Sequence, residues 1–177
     1  MSIRGLIPAV VVLFLLAPVH AAVAVPIHAG RIGIGDSVML DGKSGLLAHG
    51  FVRVDAVVSR QFHSAPGVIA SWRNRGLLPS KVVVHLGTNG QILTGDCDAT
   101  VRAVGPRQIY FVTLKLPRRY RDYNNNLLAA CVHRHTNAHL IDWFGYSHRN
   151  ASWFAPDGYH LTTRGAYFYA RFVAAHS

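Results

Sequence analysis

The stretch "KVVVHLGTNG" (residues 81–90) decides the fold. Its first half is a nearly continuous β-branched run, the composition of a central parallel strand covered on both faces. Its second half turns at once into Gly87, Asn89 and Gly90, so the strand ends in a tight bend. Working outward, "FVRVDAVVS" (residues 51–59) alternates as a strand should, and "RIGIGDS" (residues 31–37) is a short apolar strand pattern ending in glycine and aspartate. On the other side, "QIYFVTL" (residues 108–114) and "AHLIDW" (residues 138–143) supply a fourth and a fifth strand. Helical patterns fall between them: an imperfect one in "VMLDGKSGLLAHG" stopped by Gly50, one over residues 61–76 that "APG" delays or breaks, and others at 96–104, 123–135 and 162–176. Strand and helix alternate throughout. That predicts an α/β protein with a three-layer α/β/α arrangement and a roughly five-stranded parallel sheet, whose sites form beyond the carboxyl ends of the strands.

The chain has 177 residues, half of them hydrophobic and 15% charged, which excludes extensive disorder and permits a buried core. Residues 1–24 have the plan of a secretory signal peptide: one early arginine, an apolar run, and small residues at Ala22 and Ala24. An uncleaved membrane anchor is the competing reading, and either one puts residues 25–177, read as one domain, outside the cytoplasm: secreted or in the cell envelope. In that compartment the two cysteines, Cys97 and Cys131, are expected to pair as a disulfide, with two buried thiols as the alternative. The formal charge is +10 and every acidic residue is an aspartate. The arginines are scattered and no recognition helix or aromatic RNA-binding motif accompanies them, so nucleic acid is not expected as a partner. Contact with an anionic cell envelope, or a merely solvated basic surface, is the simpler reading.

Three strand ends carry chemistry. In "GIGDSV" (residues 33–38), Ser37 follows a strand and would open a helix, where unpaired N–H groups face its hydroxyl and an oxyanion formed beside it. Asp36 braces the turn. An N-cap role for Ser37 and a dinucleotide fingerprint are the rivals, the second weakened by Val38 standing where a third glycine belongs. In "HLGTNG" the flanking glycines bring the Asn89 amide into the cleft as an oxyanion donor, or simply make an Asn-Gly turn. In "APDGYHLTTRG" (residues 155–165), Asp157 stands three residues before His160, so a carboxylate can hold the imidazole and leave its other nitrogen as a base.

Together "GDSV", "GTNG" and "DGYH" resemble blocks I, III and V of the SGNH, or GDSL-like, hydrolase superfamily, over essentially all of the chain from Arg31 onward. The resemblance implies a flavodoxin-like three-layer fold and no cofactor. It implies a catalytic triad of Ser37, His160 and Asp157, with an oxyanion hole from the Ser37 N–H and the Asn89 side chain. Block II offers a glycine N–H in this superfamily, and Ser59 stands at the matching place here. Block III has glycine, Gly90, where aspartate is usual. "GDSVML", "DAVVSRQ" and "HLGTNG" look most like the extracytoplasmic SGNH domains of bacterial peptidoglycan and polysaccharide O-acetyltransferases. The expected activity is a serine esterase acting on small acyl, chiefly acetyl, esters of carbohydrate or envelope substrates. The alternatives are an O-acetyltransferase to glycan hydroxyls, fed by a donor protein, and a non-catalytic envelope-binding module.

Other residues rank lower. "HRHTNAH" (residues 133–139) invites a metal hypothesis, but no carboxylate or cysteine completes it at a useful spacing, and no metal is expected. Tyr146, Trp153 and Phe154 lie in the loop before the Asp157–His160 pair, where they either wall a substrate or pack beneath the loop. Asp142 and Trp143 read as a capping aspartate and a half-buried tryptophan, and His85 as a core histidine.

Overall fold

The computed structural model describes Met1 and residues 28–177; the expected leader lies outside the described residues. Five strands, β1 (His28–Gly35), β2 (Phe51–Ala56), β3 (Pro79–His85), β4 (Gln108–Val112) and β5 (Ala138–Ile141), form one parallel sheet in the order β2-β1-β3-β4-β5. The β-branched run expected at the centre is β3. Val82 and Val84 point to one face and Val83 to the other, all fully buried, which is why this strand does not alternate.

Two helical layers cover the sheet. Helices α3 (Ala65–Asn74), α4 (Asp96–Val104) and α5 (Arg121–Val132) pack on Ile32, Ile34, Val82, Ile109 and Phe111. On the other face lie α1 (Ser37–Asp41), α2 (Lys43–Ala48), α6 (Trp143–Ser147) and α7 (Thr163–Ala175), with Met39, Trp143, Tyr169 and Val173 against Val83 and Val112. Cys97 of α4 and Cys131 of α5 are joined by a disulfide. Closing a loop of 34 residues stabilises the fold by roughly 4 kcal/mol in the chain-entropy account.

The strand order reverses between β1 and β3: from β1 the chain goes outward to β2, then crosses back to β3 and continues to β4 and β5. This switch point leaves a crevice at the carboxyl ends of β1 and β3. Asp36 N–H donates to His85 O at 3.3 Å, so the two strand ends stay paired up to the point where both turn. Gly35 is required there, because a Cβ would run into the Met39 side chain that seals α1 onto the sheet.

Three of the boundaries that differ from the sequence pattern have a visible cause. The helix after Ser37 breaks at Gly42, where any side chain would strike the Tyr169 ring. The second strand stops at Ala56, because residues 57–60 close a turn through Arg60 N–H to Val57 O, 3.2 Å. The fifth strand stops at Ile141, and Asp142 caps a helix, accepting the Gly145 N–H at 2.9 Å and the Thr113 hydroxyl at 2.9 Å. Trp143 is fully buried rather than half-buried, and that burial anchors α6 where a loop is expected from the sequence.

Candidate active site

Ser37 is the first residue of α1, directly beyond β1, so its N–H has no intrahelical partner. Asp36 caps this helix, its Oδ1 accepting the Val38 N–H at 3.0 Å. The Asp36 side chain is completely buried. Burial pushes its carboxyl up to about 6, against the opposing pull of Thr88, the Val38 N–H and the His160 charge.

From the opposite side, the turn 155–160 brings His160 over the serine. His160 Nε2 lies 2.9 Å from Ser37 Oγ, and His160 Nδ1 lies 2.6 Å from Asp157 Oδ2. The other carboxylate oxygen accepts the N–H groups of Tyr159 and His160, both at 3.1 Å. Partial burial pushes the Asp157 carboxyl up, but the bonds from His160 and these two N–H groups outweigh it and hold it below its ordinary value. A carboxylate that stays ionised keeps the imidazole Nδ1 protonated and leaves Nε2 to accept from the serine. Gly158, at φ +80°, makes the turn, with Lys115 Nζ donating to its carbonyl at 2.5 Å. Leu161 N–H donates to Asp41 Oδ2 at 2.9 Å, tying the turn to the end of α1.

The third component is the bend after β3. Asn89 is half-buried, and its Nδ2 donates to Arg60 O at 3.4 Å, so it faces the turn that follows β2. In that turn Ser59 has φ +62°, alone among the described non-glycine residues in the left-handed region. Here the superfamily pattern has glycine, and serine adopts the glycine conformation at some cost in strain. The turn is fixed from below: Arg60 donates to Asp55 O and to Asp55 Oδ1, and Trp72 Nε1 donates to Asp55 Oδ2 at 2.7 Å.

The residue that holds the Asn89 bend escaped the sequence reading. Asn124, on α5 and fully buried, accepts the Ile92 N–H at 2.9 Å and donates to the carbonyls of Gly87 and Gly90, both at 3.0 Å. Its neighbour Asn125 makes a matching pair with the Leu114 backbone, at 2.7 Å and 3.0 Å. The signal available was "NNN" at residues 124–126: asparagine is a poor helix former, so a run inside a helix points to side chains satisfying other backbone.

The remaining candidates make packing contacts or pair with other groups. Trp153 and Phe154, each 7% exposed, belong to the core beneath α7, where Trp153 stacks on Trp143 and Phe168. Tyr146 is exposed but stacks on Phe172 at 4.2 Å. All three therefore make packing contacts in this structure. The histidines of 133–139 diverge: His135 bonds Asp98 at 2.7 Å, while His139 bonds Gln108 and stacks on Tyr110. Asp98 and His135 do approach the Cys131 sulfur, but that sulfur is in the disulfide and Asp98 is also paired with Arg134. His85 is buried beneath the site with Nδ1 2.8 Å from the Tyr169 hydroxyl; burial lowers it to about 3, so it stays neutral.

A five-stranded parallel sheet in this order, with "GDSV", "GTNG" and "DGYH" at its carboxyl edge, gives the chain the fold of the SGNH (GDSL-like) hydrolases. No protein-family model matches it. Over 134 residues, 75% of the chain, it is 38% identical to a protein of Staphylococcus aureus (strain COL) described as a candidate O-acetyltransferase. The aligned region is 22% of that relative, so the chain spans about a fifth of the length of the curated relatives it matches. Among solved structures it is similar to the C-terminal catalytic domain of peptidoglycan O-acetyltransferase A (OatA) of Streptococcus pneumoniae. That match has TM-score 0.77 and 21% identity, covering 85% of this chain and 93% of the other. A family 3 carbohydrate esterase of Clostridium thermocellum shares the fold at TM-score 0.66 and 13% identity, covering 84% and 94%.

Proposed function

We propose that this chain is an extracytoplasmic serine acyltransferase that moves acetyl groups between esters and glycan hydroxyls through an acetyl-Ser37 intermediate. The reading rests on one observation, the continuous relay from Asp157 through His160 to Ser37 Oγ at 2.6 and 2.9 Å. His160 Nε2 takes the hydroxyl proton as Ser37 Oγ bonds to the ester carbonyl carbon. The negative charge that develops on the carbonyl oxygen meets the Ser37 N–H, the Asn89 amide and, in this account, the Ser59 N–H. Collapse expels the alcohol, which leaves with the proton from His160. An acceptor hydroxyl then repeats the sequence in reverse, and its proton passes to His160 before returning to Ser37.

Relatives that carry the name O-acetyltransferase support transfer over the simple esterase that the motifs alone suggest. Hydrolysis is retained as a second reading because the His160 side chain is 34% exposed, leaving water a path to the intermediate. Export is part of the proposal, supported by the Cys97–Cys131 disulfide, which suits an oxidising compartment. No helix among the described residues is long and apolar enough to cross a membrane.

The test is acetyl release from p-nitrophenyl acetate, with and without an oligosaccharide acceptor, by the wild type and Ser37→Ala. Acetylated sugar formed only by the wild type supports transfer. Free acetate alone, dependent on Ser37, supports the esterase. Turnover that survives Ser37→Ala sinks both.

A further inference from the structure

The crevice over Ser37 opens between the turn carrying Asp157 and His160 and the bend carrying Asn89. One segment of the chain, "KLPRRYR" (residues 115–121), touches both. At its start Lys115 Nζ donates to Gly158 O, and Pro117 packs beside Gly158. Near its end the Tyr120 hydroxyl donates to Thr88 O at 2.8 Å, next to Asn89. Residues 117–119, exposed, therefore span the edge of the site from one loop to the other.

The charge balance of this edge is one-sided. The chain has eight side-chain carboxylates, all aspartates, and each is already engaged. Three pair with arginines, Asp157 pairs with His160, and the other four accept backbone N–H groups. At this edge Asp122 answers Arg121, and Asp157 is held by His160. Arg118 and Arg119 have no side-chain hydrogen bond or ion pair among the described residues. Lys115 feels the same excess: partial burial and the Arg121 charge lower its ammonium, with Asp157 opposing.

We propose that residues 115–121 form an anion-binding rim that holds the carboxylates of an acidic glycan beside Ser37, with Arg118 and Arg119 as the binding groups. The inference rests on the acyl-transfer reading for its purpose and names the substrate class of that site. Guanidinium groups match carboxylates with two parallel hydrogen bonds, which suits a repeating acidic sugar better than a neutral one. The backbone that presents them is already anchored at both ends, so binding orders the side chains and little else. Because both arginines are exposed, the interaction weakens with added salt.

The experiment uses the full chain carrying Ser37→Ala, so that binding is read without turnover. Calorimetric titration compares de-esterified oligogalacturonate with neutral chitopentaose and a glycerol-phosphate oligomer, in the parent, in Arg118→Ser/Arg119→Ser, and in Lys81→Ser/Arg102→Ser, which removes equal charge near the amino end of the sheet. The expected result is preference for oligogalacturonate and at least about a tenfold weaker Kd in the rim variant, against little change in the distant one. Equal weakening in both double variants reduces the rim to diffuse charge and overturns the assignment. Chitopentaose binding as tightly as oligogalacturonate also overturns it. So does tighter binding of a glycerol-phosphate oligomer, which moves the ligand from sugar carboxylate to phosphodiester. Failure of the acyl-transfer reading shows instead as absent acetyl chemistry in the wild type, with these binding results unchanged.

Discussion

The two aspartates on either side of Ser37 behave in opposite ways, and the halves of the site they anchor differ in the same sense. Asp36, in the half built on β1 and β3, is completely buried and its carboxyl is raised to about 6, chiefly by burial. Asp157, in the turn before α7, has a side chain 40% exposed and is held below its ordinary value by hydrogen bonds from His160 and two N–H groups. The first half is fixed from beneath, by Asn124 under the Asn89 bend and by Asp55 and Trp72 under Arg60. The second half is a surface turn held by two tethers, Asp41 to Leu161 and Lys115 to Gly158. The proposed nucleophile and oxyanion donors thus sit on the core, while the proposed base is delivered to them by a loop. Damage to the first half should appear in stability as well as rate, and damage to the second chiefly in rate.

The largest expected effect comes from the atoms shared by both halves. Ser37→Ala and His160→Ala should each lower turnover by about 10³-fold or more, with no further loss on combining them, because the two act as one unit. Additive losses in steady-state kinetics would mean they do not. Asn89→Ala should cost about 10²–10³ in kcat, the usual worth of one oxyanion donor, with a smaller change in KM.

Asn124→Leu separates the halves most clearly. It leaves the Gly87 and Gly90 carbonyls and the Ile92 N–H buried without partners, a loss of roughly 2–4 kcal/mol measured by urea unfolding. Activity should fall with it because the Asn89 bend loosens. By contrast Asp41→Ala, which frees the Leu161 N–H near the surface, should lower kcat by about tenfold at most and leave the unfolding midpoint nearly unchanged. If Asp41→Ala destabilised the fold as much as Asn124→Leu, the contrast between core and loop would fail.

The smallest effect is in pH. A carboxyl raised in the folded state favours folding while it stays protonated, and that contribution is lost as pH rises from the ordinary aspartate range through about 6. Asp157 has the opposite sign: its contribution is present at neutral pH and is lost as pH falls below the ordinary aspartate value. In Asp36→Asn the decline in melting temperature between pH 4.5 and pH 7 should therefore shrink, with the cap bond to Val38 retained by the asparagine oxygen. An unchanged decline would assign it to other groups.

How much of this was legible in the sequence follows the same division. Ser37 and Asn89 could be picked out because each lies in a short turn directly beyond an apolar strand. Asp157 and His160 lie in the turn before α7 rather than at the strand end expected for them, and the Asp-x-x-His spacing alone made them legible. β3 was legible because nothing but two covered faces explains three consecutive valines. What supports these residues was not. Asn124 works through carbonyls more than thirty residues away in the chain. The break at Gly42 is imposed by Tyr169 on the last helix, and Trp153 and Phe154 read equally well as substrate wall or core until α7 is seen to cover them. Local pattern reveals groups that must be exposed at a bend; it does not reveal which distant side chain satisfies the bend's backbone.

The most direct test of the account is whether an acetyl group resides on Ser37 during turnover. The protein would be mixed with p-nitrophenyl acetate, quenched in acid within a turnover, and digested for peptide mass analysis. The account predicts one added acetyl group on the peptide containing Ser37, absent from Ser37→Ala and accumulating in Asn89→Ala only in proportion to its slower formation. Continued turnover with Ser37 unmodified, or acetylation confined to another residue, would contradict it.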